Sequence, residues 1–248
     1  MTLAVHELGA GDALVCLHGV TSHGRHFGRL AERLERRVLA PDLRGHGDST
    51  WEPPWDIERH VLDLLEALPE RPLPWLGHSF GAKLAHEVAL RAPGRVERLV
   101  LLDPATHVPP HAALYAAENA RRERVYGSFE EAVTRRYDES VLVSAPRDLL
   151  ETELRDHLVE EDGRWRYRYC QSAVVAAYGE MAREPSAFPP VPTLVLLGER
   201  SYVSYDHLLE PHRAAVGDLL EVVRLPGGHT LLWDDLDATA DAVARFLD

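Results

Sequence analysis

Short apolar runs alternate with longer amphipathic segments along most of this 248-residue chain. Leu3–Leu8 and Ala13–Leu17 read as strands joined by the turn Gly9-Ala10-Gly11-Asp12. Arg25–Arg37 carries Phe27, Leu30, Ala31 and Leu34 on one helical face, and a short strand, Val38–Ala40, follows. Asp56–Leu68 is a helical pattern, Pro74–Leu76 a strand running into Gly77, and Phe80–Arg91 a helix. Val96–Leu102, Thr193–Leu197 and Glu221–Leu225 are further strands, and Asp235–Leu247 closes the chain as a helix. Strands separated by helices pair in parallel through right-handed crossovers. Unbroken apolar runs such as Thr193–Leu197 suit strands buried on both faces. The expectation is an α/β fold with a mostly parallel, doubly wound sheet.

One region breaks the rhythm. From Thr106 to Pro190 the pattern is helical, with no strong strand: His111–Tyr126, Phe129–Tyr137, Asp148–Glu161 and Tyr167–Ala182. Pro109-Pro110 bounds it on one side, and Pro185 with Pro189-Pro190 on the other. This predicts a core made of residues 1–105 and 191–248, with a helical cap, 106–190, inserted after the strand ending at Leu102.

Charge narrows the partners. Forty acidic residues against 27 basic ones leave a net charge of −13, which argues against nucleic acid and against anionic membrane surfaces. It also argues mildly against a highly anionic substrate, unless cap arginines such as Arg166 or Arg168 turn inward. Trp165-Arg166-Tyr167-Arg168-Tyr169 lacks the basic surround of an RNA platform and reads as the start of a cap helix. Arg121-Arg122-Glu123-Arg124 reads as a solvated helix face. The N-terminus lacks the pattern of a signal peptide, and no run approaches 18 apolar residues. Cys16 and Cys170 lie far apart and imply no oxidising compartment, so a cytoplasmic location is expected.

The strongest local signal is Gly77-His78-Ser79-Phe80-Gly81, a G-x-S-x-G run between a strand and a helix. Such a turn lifts a serine hydroxyl above the end of a sheet. A serine needs a base, and 14 histidines are available. His229 stands in Pro226-Gly227-Gly228-His229-Thr230, just past a strand, and the order serine, acid, histidine selects it. His46 and His78 read as loop-fixing residues. His18, His23 and His26 fall within nine residues, but no cysteine or carboxylate joins them at ligand spacing, so no metal is expected. Dinucleotide and P-loop patterns are missing, and no cofactor is expected.

His18-Gly19, Asp42-Leu43-Arg44-Gly45-His46-Gly47-Asp48-Ser49, Gly77–Gly81, Leu102-Asp103-Pro104 and Gly228-His229 occur in order. Together they resemble the α/β-hydrolase superfamily over nearly the whole chain outside the insertion. The resemblance implies Ser79 as nucleophile and His229 as general base, then acid. It implies an oxyanion hole from the backbone N–H groups of Val20 and Phe80. It also places a single strand, Leu3–Leu8, where many relatives have two. A haloalkane dehalogenase would carry aspartate at the position of Ser79.

The acid departs from the commonest pattern. Many relatives place it after the strand that is here Thr193–Leu197, yet the run is Gly198-Glu199-Arg200-Ser201, with serine at the expected aspartate. Glu199 is expected to point elsewhere, Asp206 lies further on, and Asp103 stands 24 residues after Ser79 at the end of the neighbouring strand. Asp103 is the favoured acid and Asp206 the alternative. A subset resembling YbfF-type bacterial serine esterases places its acid at the earlier strand. They share the run Gly77–Ala82 with Lys83, the only lysine, here expected as a helix-surface cation.

The resemblance implies a serine hydrolase acting on a small-molecule carboxylic ester or thioester through an acyl-enzyme. A C–C bond hydrolase or acyl transferase with the same triad remains open. So does a catalytically silent small-molecule receptor or binding module, which Ser201 keeps in play.

Overall fold

The computed structural model describes residues 3–138 and 146–248. Residues 1–2 of the expected core and 139–145 of the expected cap lie outside the described residues. Strands β1 (Val5–Leu8), β2 (Ala13–Leu17) and β3 (Arg37–Pro41) open the fold, with helix α1 (Gly28–Leu34) between the last two. Helix α2 (Ile57–Ala67), strand β4 (Leu73–His78), helix α3 (Phe80–Arg91) and strand β5 (Val96–Leu102) follow. The inserted segment holds α4 (Pro110–Ala120), β6 (Val125–Tyr126), α5 (Phe129–Asp138), α6 (Arg147–His157), β7 (Leu158–Glu161), β8 (Arg164–Tyr167) and α7 (Gln171–Met181). The chain ends with β9 (Thr193–Gly198), α8 (Asp206–Val216), β10 (Leu220–Leu225), α9 (Leu231–Asp234) and α10 (Leu236–Leu247).

The main sheet has seven strands in the order β1-β3-β2-β4-β5-β9-β10. β1 runs antiparallel to β3, and the other pairs are parallel. One strand precedes β2, as the sequence suggests. It does not pair with β2, because β3 lies between them.

Side chains alternate across the pleat and split the core into two layers. Val15, Leu17, Leu99, Leu101, Val195 and Leu197 face α2, α3 and α8, where Leu64, Leu84, Val88 and Leu208 meet them. Leu14, Cys16, Val100, Leu102, Leu194 and Leu196 face α1 and α10, represented by Leu30, Ala31, Ala240 and Val243. Each fully buried leucine contributes roughly 1.5–3 kcal/mol relative to exposure. Helix starts are set locally: Asp56 accepts Arg59 N–H at 2.7 Å before α2, and Asp235 accepts Ala238 N–H at 3.1 Å before α10.

The inserted segment corrects three expectations. It is not purely helical, because β6, β8 and β7 form a second, antiparallel sheet. The run Trp165–Tyr167 is strand, not helix, and α7 begins at Gln171. Helix α4 stops at Ala120, so Arg121–Arg124 follows a helix instead of lying on one. These strands have two to four residues, too short to carry a period. What holds them is cross-strand pairing and a small core of Tyr126, Val133, Leu150, Leu154, Leu158 and Tyr167.

Candidate active site

The chain runs from β2 outward to β3, then crosses to β4 on the other side of β2. That reversal makes the carboxyl ends of β2 and β4 a topological switch point, where open α/β sheets collect functional groups. Gly19 and Val20 follow β2, Ser79 follows β4, Asp103 follows β5, Ser201 follows β9, and His229 follows β10. All five strand ends face the same edge of the sheet.

Ser79 has φ 56° and ψ −117°, a left-handed backbone that a serine adopts only when its surroundings enforce it. Its N–H donates to Leu102 O at 3.1 Å, and its carbonyl accepts from Ala82 and Ala105. The flanking glycines are required by close approach. A Cβ on Gly77 would overlap the Gly81 carbonyl, and one on Gly81 would overlap the carbonyls of Leu17 and His18. The strand, the turn and the helix thus meet with no room for a side chain at either position.

Asp103 is buried, with φ 39°. Its N–H donates to Leu196 O at 2.7 Å, tying the turn to β9. Its carboxylate is surrounded by donors. Gly198 N–H reaches Oδ1 at 2.9 Å, and His229 Nδ1–H reaches Oδ2 at 2.6 Å. Ser201 donates its hydroxyl to the same Oδ2 and accepts Val203 N–H at 3.0 Å. The serine at the expected acid position therefore hydrogen-bonds the carboxylate that pairs with His229. Asp206 is 62% exposed at its side chain, starts α8 and pairs with Arg224. Glu199 is exposed.

His229 is buried, its ring 4.8 Å from that of His78 and 4.9 Å from that of Tyr202. With Nδ1–H committed to Asp103, Nε2 is left as the basic nitrogen. His78 donates Nε2–H to the His229 carbonyl at 2.8 Å, so it fixes that loop. His46 donates Nε2–H to Val20 O at 2.8 Å, the same service to the loop after β2.

Lys83 is not the surface cation expected from the sequence. It is 2% exposed, and its ammonium donates to Thr106 O at 2.8 Å, tying α3 to the turn that follows Asp103. Burial pushes its pKa down, opposed by the nearby Glu87 carboxylate. Its position one turn beyond the buried Ser79 puts it on the packed side of α3, where a long side chain can cross to the next strand end. Arg166 and Arg168 pair with Glu123, Glu161 and Asp48. Their positive charge is met by these carboxylates.

A model of the alpha/beta hydrolase family matches residues 14–244. The chain belongs to the alpha/beta hydrolase family. It is 34% identical over 238 residues to lipase LipV of Mycobacterium tuberculosis, covering 87% of this chain and 85% of that protein. It is 31% identical over 252 residues to the mouse sn-1-specific diacylglycerol lipase ABHD11, covering 95% of this chain and 80% of that protein. A pimeloyl-[acyl-carrier protein] methyl ester esterase of Chromobacterium violaceum is 37% identical over 142 residues, 54% of this chain and 56% of its own length. Among solved structures, E-2-(acetamidomethylene)succinate hydrolase superposes with a TM-score of 0.87 at 21% identity, covering 99% of this chain and 95% of that one. That last likeness concerns fold alone.

Other polar groups at this alpha/beta hydrolase's site escaped the sequence reading. Glu153 and His157, both on α6, meet the loop after β2. Glu153 lies 3.0 Å from His26 Nδ1 and 3.5 Å from His23 Nε2, and His157 stacks on His23 at 4.7 Å. The two histidines hold the Glu153 carboxyl well below the usual carboxylate range against the opposing effect of burial. An i, i+4 pair on a distant helix carries no local signal that it faces this loop. Among the described residues, no group of three or more His, Cys, Asp or Glu side chains is arranged to hold a metal. Nor is any helix among them long and apolar enough to cross a membrane.

Proposed function

We propose that this protein is a serine hydrolase that cleaves small-molecule carboxylic esters or thioesters through an acyl-enzyme. Ser79 Oγ attacks the acyl carbonyl while His229 Nε2 takes its proton. The backbone N–H groups of Val20 and Phe80 receive the negative charge that develops on the carbonyl oxygen. His229 then protonates the leaving alcohol or thiol, and a water attacks the acyl-enzyme by the same route in reverse. Asp103 holds the imidazole in the tautomer with a free Nε2 and offsets its charge when protonated. Residues 106–190 act as a cap over a core formed by 1–105 and 191–248.

The observation that carries this reading is the 2.6 Å bond from His229 Nδ1 to Asp103 Oδ2, set at the same sheet edge as the strained Ser79 turn. A buried acid–imidazole pair at the same sheet edge as a left-handed serine favours an enzyme over a silent receptor. The names of the relatives, two lipases and a methyl ester esterase, favour ester chemistry over C–C cleavage. Free thiols at Cys16 and Cys170 agree with a reducing, cytoplasmic setting.

The test is labelling with a fluorophosphonate, together with hydrolysis of p-nitrophenyl esters of increasing chain length. Labelling at Ser79 and ester turnover, both lost in Ser79→Ala, are expected. A folded protein that neither labels nor hydrolyses any of these esters would sink the proposal.

A further inference from the structure

Three consecutive carbonyls in the loop after β2 each accept a hydrogen bond from a different buried histidine. His18 Nδ1–H reaches Gly19 O at 2.8 Å, His46 Nε2–H reaches Val20 O at 2.8 Å, and His157 Nε2–H reaches Thr21 O at 3.0 Å. They arrive from the end of β2, the loop after β3, and the last turn of α6 in the inserted segment. Burial pushes the pKa of all three imidazoles down, which favours the neutral form. A neutral imidazole has a single N–H to give. Here each is spent on a main-chain carbonyl.

Gly19 O and Val20 N–H belong to one planar peptide unit. A donor fixed on that oxygen therefore fixes the direction of the N–H. The bonds at Val20 O and Thr21 O restrain the next two peptide planes, and so narrow the φ and ψ values through which the Gly19–Val20 plane could turn. Of the three, His157 is the one that the core does not supply. Its Nδ1 is buried and has no hydrogen-bond partner among the described residues. A buried imidazole half-satisfied in this way is costly where a leucine would pack at no polar cost. The bond to Thr21 O gives the histidine its use. Glu153, one turn earlier on α6, seats the same helix face on His26 and His23.

We propose that His157 is a positioning residue for the oxyanion donor at Val20, which is fully set only when α6 of the inserted segment is docked on this loop. The proposal rests on the reading of Val20 N–H as an oxyanion donor. It predicts a defect in the transition state with little effect on substrate binding, because the loop meets the charge and not the ground-state ester.

The test compares His157→Leu and His157→Gln with wild type by p-nitrophenyl butyrate kinetics, inhibition by butylboronic acid, and amide hydrogen exchange across residues 18–24. In His157→Leu, kcat is expected to fall roughly 10- to 100-fold with KM within about twofold. The inhibition constant for the boronate, which becomes tetrahedral on Ser79, is expected to rise by a similar factor. Exchange across 18–24 is expected to quicken. His157→Gln keeps an N–H donor and is expected to recover part of kcat. A folded His157→Leu with wild-type kcat, or with unchanged exchange in this loop, overturns the proposal. Should His157→Leu fail to fold, Glu153→Gln loosens the same docking and is expected to show the same pattern at smaller size; wild-type values in all three measurements would overturn the proposal equally. Wild-type protein inert to esters and boronate would defeat the proposed function alone, since the exchange measurement still decides whether His157 holds the loop.

Discussion

Ser201 gives its hydroxyl hydrogen to Asp103 Oδ2, the same oxygen that His229 Nδ1–H approaches at 2.6 Å. Where the family resemblance places an acid, after β9, this chain has a serine that donates to a carboxylate after β5, the adjacent strand of the sheet. Both arrangements are possible because β5 and β9 are neighbours, with Leu102 opposite Leu196. A carboxylate on either strand end can reach a histidine that follows β10.

Replacing Ser201 with alanine removes one of the donors around this carboxylate and leaves Gly198 N–H and His229. A hydrogen bond to a charged group contributes roughly 1.5–3 kcal/mol. Much of that is shared between ground and transition states. Ser201→Ala is therefore expected to lower kcat by about tenfold or less while leaving KM nearly unchanged. Steady-state ester kinetics check this, and a wild-type kcat would show that the remaining donors suffice.

Asp103→Asn and Asp206→Asn separate the two candidate acids. An asparagine at 103 presents either an N–H or a carbonyl to His229 and can no longer offset imidazolium charge. A loss of about 10⁴ in kcat is expected from the triad template. Asp206 meets Arg224 on the exposed start of α8, and pairs of that kind contribute at most about 1 kcal/mol. Asp206→Asn is expected to keep wild-type turnover. The opposite ranking of the two variants would reverse the assignment of the acid.

The strands Val96–Leu102 and the helix Phe80–Arg91 were legible to the residue, because continuous apolar runs and a glycine-framed turn mark their ends. Motif order points to Ser79 and His229, and the resemblance to Asp103; the 2.6 Å pair brings the last two together. The inserted segment is less legible. Arg164–Tyr167 alternates charged and aromatic residues, a pattern that suits a helix start as readily as a strand half covered by β6 and β7. Lys83 departs from expectation for a different reason. A lysine side chain is ordinarily solvated, and only the fold shows that Thr106 O stands within its reach.

That buried lysine leads to a stability prediction. Lys83→Met keeps the apolar stem but leaves Thr106 O without its donor, while Glu87 keeps its ion pair with Arg91. An unsatisfied buried carbonyl costs about 1–3 kcal/mol. The melting temperature is expected to fall by roughly 2–12 °C for a chain of this size. Thermal unfolding followed by circular dichroism measures it, and an unchanged melting temperature would mean that another donor or water replaces the ammonium.

The buried histidines set the dependence of stability on pH. Burial lowers the pKa of His60 from 6.5 to about 3 and that of His86 to about 4, and it lowers His18, His46, His78 and His157 as well. In the unfolded chain each returns to its ordinary value near 6.5. Between that value and the depressed one, the unfolded state binds protons that the folded state refuses, so stability must rise with pH across the window. Each such histidine contributes a slope of up to about 1.4 kcal/mol per pH unit. Acidification from pH 7 to 4 is therefore expected to lower stability steeply, beginning near pH 6.5, before most carboxylates are protonated. Urea unfolding at a series of pH values tests this. A midpoint flat from pH 7 down to pH 5 would show that these imidazoles keep near-ordinary affinities for protons in the folded protein.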